Sequence, residues 1–100
     1  MPLSKEKIIQ IIFDAVDELN TILSEEERLE KSPETLLAGK NASLDSLGLI
    51  NFIVEVEGRV QKEFGLALNL IEALDSPEEP MKSISRLVEF IEVQANGKNQ

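Results

Sequence analysis

The chain has 100 residues, of which 19 are acidic and 10 basic, giving a formal net charge of −9, and 42% are hydrophobic. These values describe one small folded domain with little room for a deep catalytic cleft, and an acidic surface that repels nucleic acid and anionic membranes. It contains no Cys and no His, which excludes disulfides, thiolate nucleophiles, Ser-His-Asp triads and the usual zinc ligands together.

The first periodic segment spans residues 5–23. Ile8, Ile12, Ala15, Val16, Leu19, Ile22 and Leu23 recur at three- and four-residue steps, which places them on one face of an amphipathic helix. Ser4 is its expected N-cap, with Glu6 in the first turn where negative charge is favoured. The apolar stretch at residues 8–13 is interrupted by Asp14, too soon for a secretory signal. No apolar run approaches the roughly 20 residues needed to cross a bilayer. A cytoplasmic protein without stable membrane insertion is the expectation.

A long connection follows over residues 24–44. Glu25, Glu26 and Glu27 read as a solvated acidic run and not as a metal site. Ser32-Pro33 stops any continuing helix. A connection this long in a compact domain is anchored or functional, and Leu29, Leu36 and Leu37 are the expected anchors. Gly39, Asn41 and Ser43 turn its end.

The second strong helix is expected from Ser46 to Phe64, stopped by Gly65 as a C-terminal cap. Leu49, Phe52, Ile53, Val56, Val60 and Phe64 cluster on one side of it, while Leu47, Ile50 and Val54 widen the apolar arc. Asn51, Glu55, Arg59 and Lys62 fill the opposite side. So wide an arc belongs to a central helix with several neighbours, or to one with a spare strip for a partner. Residues 68–74, with Leu70, Ile71 and Leu74 apolar and Asn69 available as a cap, predict a short third helix or one turn, ended by Pro77 and Pro80. Ser83 then caps a last helix with Ile84, Leu87, Val88 and Ile91 inward. Residues 1–93 form the domain and residues 94–100 a polar, flexible tail. The fold class is all-α: four helices in a bundle, with a long loop after the first and a short third.

Asp45-Ser46-Leu47 stands where that loop meets the second helix. Taken alone, it is a common helix start in which one of the two polar residues caps. No Gly-rich phosphate loop and no calcium-loop pattern occurs, and Arg28 and Lys31 are too scattered to make a nucleic-acid patch.

Asp45-Ser46-Leu47 opens the most apolar helix of an acidic domain, after a long loop and ahead of Glu63-Phe64-Gly65. A final helix beginning Ser83-Ile84-Ser85-Arg86-Leu87 follows. Across nearly the whole chain this pattern resembles the acyl carrier protein family and the related peptidyl carrier domains. The resemblance implies a four-helix carrier bundle with 4′-phosphopantetheine attached to Ser46, between Asp45 and Leu47, by a phosphopantetheinyl transferase using coenzyme A. It implies a monomer that is not itself an enzyme. An acyl-loading ligase or synthase and downstream acyl-processing enzymes would be its partners, docking on a strip of Leu47, Asn51, Val54, Glu57 and Gln61. Such a carrier suits a chain without Cys or His, because the arm brings its own thiol. Asn51 and Gly58 stand where members serving fatty acid synthesis commonly place glutamates. The resemblance therefore implies a specialised stand-alone carrier for a lipid, polysaccharide-modifying or secondary-metabolite pathway. Phe13, Phe52, Ile53 and Phe64 are candidates either for lining an acyl cavity or for ordinary core packing. Two alternatives stand beside this reading: an aminoacyl or peptidyl carrier, and a non-catalytic helical interaction domain in which Ser46 is only a helix cap.

Overall fold

The computed structural model describes residues 4–38, 44–75 and 79–97, without the side chains of residues 27, 46, 75, 96 and 97. Within them the chain forms three α-helices, α1 (Lys5–Asn20), α2 (Ser46–Phe64) and α3 (Ile84–Glu92). Glu25–Glu27 and Glu72–Asp75 add single 3-10 turns, and Val93–Gly97 continues α3 as a wider π-type turn. There is no strand among the described residues, and Leu36 and Ser83 make one isolated antiparallel bridge. The protein is all-α.

Each helix begins where a side chain can accept an otherwise orphaned backbone N–H. The Ser4 hydroxyl accepts from the Lys7 amide at 3.2 Å, and the Ser83 hydroxyl accepts from the Arg86 amide at 3.3 Å. At the far end of α2, Gly65 adopts the left-handed conformation (φ 65°), and its N–H donates to the Gln61 carbonyl at 2.8 Å. Only glycine takes that conformation without a steric penalty.

α1 is the element that packs closely against both α2 and α3. Of the two readings of the wide apolar arc of α2, the spare strip is the one seen: the described residues leave Leu47, Ile50 and Val54 exposed. The core joins Ile8, Ile11, Ile12, Ala15, Val16 and Leu19 of α1 to Phe52, Ile53, Val56 and Val60 of α2 and Ile84, Leu87, Val88 and Ile91 of α3. Leu29, Leu37, Leu70, Ala73 and Met81 close it from the connections. No charged or polar side chain among the described residues is buried, so burial of apolar surface is the main stabilising term.

α1 stops at Asn20, three residues before the periodicity ends. The Thr21 hydroxyl donates to the Glu18 carbonyl at 2.6 Å and its amide donates to the same carbonyl at 3.2 Å, closing the last turn. Beyond that point the helical phase is lost, and Ile22, expected on the inner face, is 75% exposed. Phe64 is likewise 40% exposed at the last residue of α2. The expected third helix is reduced to the Glu72–Asp75 turn, which leaves Asn69 outside it. Its bonds run from the Ala73 amide to the Leu70 carbonyl and from the Leu74 amide to the Ile71 carbonyl. A segment this short closes too few hydrogen bonds to offset the cost of nucleating an α-helix. The π-type turn Val93–Gly97 runs across the tail boundary expected at residue 93, and Ala95 packs against the core.

The long connection is tied down through its backbone more than through its side chains. Asn20 acts as a surrogate peptide: its side-chain N–H donates to the Leu29 carbonyl and its Oδ1 accepts from the Leu29 amide, both at 2.9 Å. Leu29 and Leu37 are buried anchors, whereas Leu36 is 37% exposed. Leu36 sits at a backbone bridge opposite Ser83 whose bonds belong to its neighbours: the Leu37 amide donates to the Lys82 carbonyl and the Ile84 amide to the Thr35 carbonyl. The Ser85 amide donates to the Pro33 carbonyl at 2.8 Å, so the connection also occupies the first amides of α3. Gly39, Asn41 and Ser43, expected to turn its end, lie outside the described residues, as does Pro77.

An Asn20→Ala variant removes both bonds and strands a partly buried amide and carbonyl. Such losses cost about 1–3 kcal/mol per unsatisfied group, so its urea midpoint is expected to fall clearly below that of the parent. A midpoint unchanged within error would mean that the connection is held elsewhere.

Candidate functional site at the start of α2

Asp45 is the N-cap of α2. Its backbone is extended (φ −82°, ψ −177°), and its carboxylate accepts from the Gly48 amide at 2.8 Å. Its carbonyl accepts from the Leu49 amide at 2.9 Å, which starts the helical ladder. Ser46 is therefore the first residue inside the helix, and capping belongs to its neighbour; the Ser46 side chain lies outside the described residues. The interaction-domain alternative, in which Ser46 serves as the cap, loses that role for the serine.

Gly48 is a residue the sequence pattern passed over. A Cβ built there would stand 3.2 Å from the Asp45 carboxylate and 3.3 Å from the Leu44 side chain. The cap therefore closes over a glycine, and Leu44, half-buried and packed on the core, ties the loop to the helix at the same point. No spacing rule signals this approach.

From Ser46 onward, one side of α2 is open. Leu47 is 67% exposed, Val54 53% and Ile50 38%, and Asn51 and Gln61 are exposed beside them. Four of the five expected partner-face residues thus lie together at the surface, with Asp45 exposed at the strip's start. Ile50 belongs to the strip as well, which its place in the widened apolar arc had indicated. Large apolar side chains on a helix face that no described element covers mark an interaction surface.

The fifth residue, Glu57, has an intramolecular partner. Its carboxylate accepts from the Leu70 amide at 2.6 Å, while the Leu70 side chain is fully buried. Glu57 thus pins the segment after Gly65 onto α2, a role that its expected place on the partner strip did not indicate. A contact 13 residues away leaves no signature in helical periodicity.

Gly58 sits in mid-helix, exposed, with open space where a Cβ would go. Glycine in a helix interior costs about 0.8–1 kcal/mol against alanine. Gly58→Ala is therefore expected to raise the urea midpoint by an amount equivalent to about that free energy, and a destabilised variant would contradict an open helix face at this position.

Phe13, Phe52, Ile53 and Phe64, read as either acyl-cavity lining or ordinary core, are not gathered in one place. Phe13 lines a shallow depression with Ile9, Pro33, Ile84 and Val88, and Phe52 lines another with Ala15 and Leu19. Ile53 is core, and Phe64 is at the surface. Among the described residues no group of three or more carboxylates is placed to hold a metal ion. Glu25 and Glu26 are exposed. No helix among them is long and apolar enough to cross a membrane.

The chain matches no family model, and it has no significant match among curated proteins or solved structures.

Proposed function

We propose that this chain is a carrier protein that bears 4′-phosphopantetheine on Ser46. The observation that carries the reading is the division of labour at the start of α2. Asp45 performs the capping, so the adjacent serine opens the helix without that duty, directly beside exposed Leu47. The first N–H groups of a helix and the positive end of its dipole favour a phosphodiester at that position. In the attachment step the Ser46 oxygen bonds to the phosphorus next to pantetheine in coenzyme A, and the nucleotide bisphosphate leaves. The arm, once attached, supplies a thiol for thioester chemistry, which a chain without Cys cannot supply itself.

The remaining residues position and present. Gly48 and Leu44 fix the loop against the helix start, and Leu47, Ile50, Asn51, Val54 and Gln61 offer a mixed apolar and polar strip to the transferase and to loading and processing enzymes. The net charge of −9 favours partners with basic patches. The finer architecture belongs to the same proposal: an acyl-carrier-type bundle whose short third helix is represented by the Glu72–Asp75 turn. Asn51 and Gly58 thin the acidic character of the strip and favour a specialised pathway in the cytoplasm.

The test is to incubate the purified chain with coenzyme A, magnesium and a broad-specificity phosphopantetheinyl transferase and to measure intact mass. A gain of one phosphopantetheine is expected. No gain in a folded protein, with several transferases, would turn the reading to a helical interaction domain.

A further inference from the structure

The open face of α2 carries a symmetry that attachment at Ser46 does not require. About Val54 as centre, Ile50 and Gly58 stand four residues to either side, and Leu47 and Gln61 seven. All five are at the surface, and none of them bears a charge, in a chain of net charge −9. Gly58 breaks the local rule for a helix interior, and no atom within 4 Å of a Cβ built there accounts for the missing side chain.

The two ends of this face are charged and opposite. Asp45 precedes it, nine residues before Val54, and Lys62 closes it, eight residues beyond. Both are exposed, and neither forms an ion pair among the described residues. With glycine at 58, Lys62 lacks the carboxylate one turn earlier that commonly pairs with a lysine on a helix. The nearby carboxylates are occupied: that of Glu55 lies 2.7 Å from Arg59, and that of Glu57 accepts from the Leu70 amide. Large against small and acid against base thus fall at matched distances on either side of one residue. Such a face is complementary to itself in an antiparallel pair, as a two-fold interface requires.

We propose that α2 pairs with α2 of a second copy of this chain, antiparallel and centred on Val54. The two Val54 side chains meet at the two-fold axis, Ile50 packs over Gly58 of the other copy, and Leu47 lies beside the other copy's Gln61. Asp45 and Lys62 pair at both ends. Glycine lets the isoleucine approach the α2 backbone, which accounts for its cost in helix stability. The contact is small. It runs from Leu47 to Gln61, 15 residues or roughly 21 Å of helix, and one helix face buries less than the roughly 800 Å² per partner of a stable interface. Association is therefore weak and reversible, at a salt concentration that screens the remaining negative charge. It differs from the monomer that the resemblance implies. It covers the strip that the carrier reading gives to enzymes but needs no arm on Ser46, so the two fail separately.

The test uses the unloaded chain at about 0.15 M salt. Sedimentation equilibrium and amide chemical shifts are recorded over protein concentrations from about 0.05 to 2 mM. The mean mass is expected to rise from that of one chain towards that of two, with shifts centred on Leu47, Ile50, Val54, Gly58 and Gln61. Val54→Asp sets two carboxylates against each other at the two-fold axis and should abolish the association. Gly58→Gln fills the notch with a better helix former, and Lys62→Glu turns the end pairs repulsive. Each should weaken association by roughly tenfold or more. All three positions are exposed, so the variants should keep the parent's circular dichroism. A chain that stays monomeric at the highest concentration, shifts centred on another surface, or variants that associate like the parent would overturn the proposal. None of these outcomes bears on phosphopantetheine uptake, which intact mass tests by itself.

Discussion

A Ser46→Ala variant is expected to take up no phosphopantetheine and yet to fold as well as the parent. The two halves of this expectation come from different residues. Loss of the arm follows from loss of the only hydroxyl at the helix start, since Leu47 and Gly48 follow and Asp45 precedes. Retention of stability follows because the cap bond runs from the Gly48 amide to Asp45, not to Ser46. Alanine is the best helix former, and a substitution that removes no cap and buries no polar group changes stability by no more than about 0.5 kcal/mol. Asp45→Ala should do the reverse: it removes the cap and costs about 0.5–2 kcal/mol, but leaves the serine in place. Equilibrium urea unfolding and intact mass, run on both variants, separate attachment from capping. A Ser46→Ala protein destabilised as much as Asp45→Ala would mean that the serine is structural.

The largest stability effect is expected for Phe52→Ala. Phe52 is 1% exposed and belongs to the core with Ala15 and Leu19 of α1, beside which it lies. Truncating a buried phenylalanine removes its transfer free energy and leaves a cavity, typically about 3–5 kcal/mol together. Domains of this kind have net stabilities of about 5–15 kcal/mol, so the variant should sit near the edge of folding at room temperature. Thermal and urea unfolding by circular dichroism measure the loss. A cost below about 1 kcal/mol would show that Phe52 is replaceable by collapse of its neighbours and that the α1–α2 contact is held by other residues.

Much of the fold was legible in the sequence because its strongest signals are local. Ser4 and Ser83 cap the helices they were expected to cap, α2 runs from Ser46 to a left-handed Gly65, and Ile84, Leu87, Val88 and Ile91 face inward. Capping chemistry and helical period act within four residues, which is the range over which a sequence can be read directly. The misplacements came from contacts at longer range. Ile22 fits the period of α1, but the Thr21 and Asn20 side chains turn the chain before it is reached, and the Asn20 partner lies nine residues on. Leu36 was expected to anchor by its side chain and instead contributes a backbone bridge to Ser83. The third helix dwindled to one turn because its segment is too short to repay nucleation.

The candidate site was legible to a different extent. The width of the apolar arc, a property of α2 alone, marked Leu47, Ile50 and Val54, whereas Asn51 and Gln61 entered the expected strip through the family resemblance. Which of Asp45 and Ser46 caps did not follow, since both residue types cap well; the extended backbone at Asp45 and the close approach of Gly48 decide it. Glu57 could not have been placed either, because its partner is the Leu70 amide on another segment.

The central claim is that Ser46 is an attachment point and that the reactive chemistry belongs to what is attached. The most direct measurement is peptide-level tandem mass spectrometry of the protein after treatment with coenzyme A and a phosphopantetheinyl transferase. The account predicts one phosphopantetheine, assigned by fragmentation to Ser46 and not to Ser43 on the same peptide, and absent from peptides carrying Ser4, Ser24, Ser32, Ser76, Ser83 or Ser85. A folded chain that remains unmodified, or one modified at any of those other serines with Ser46 untouched, would contradict it.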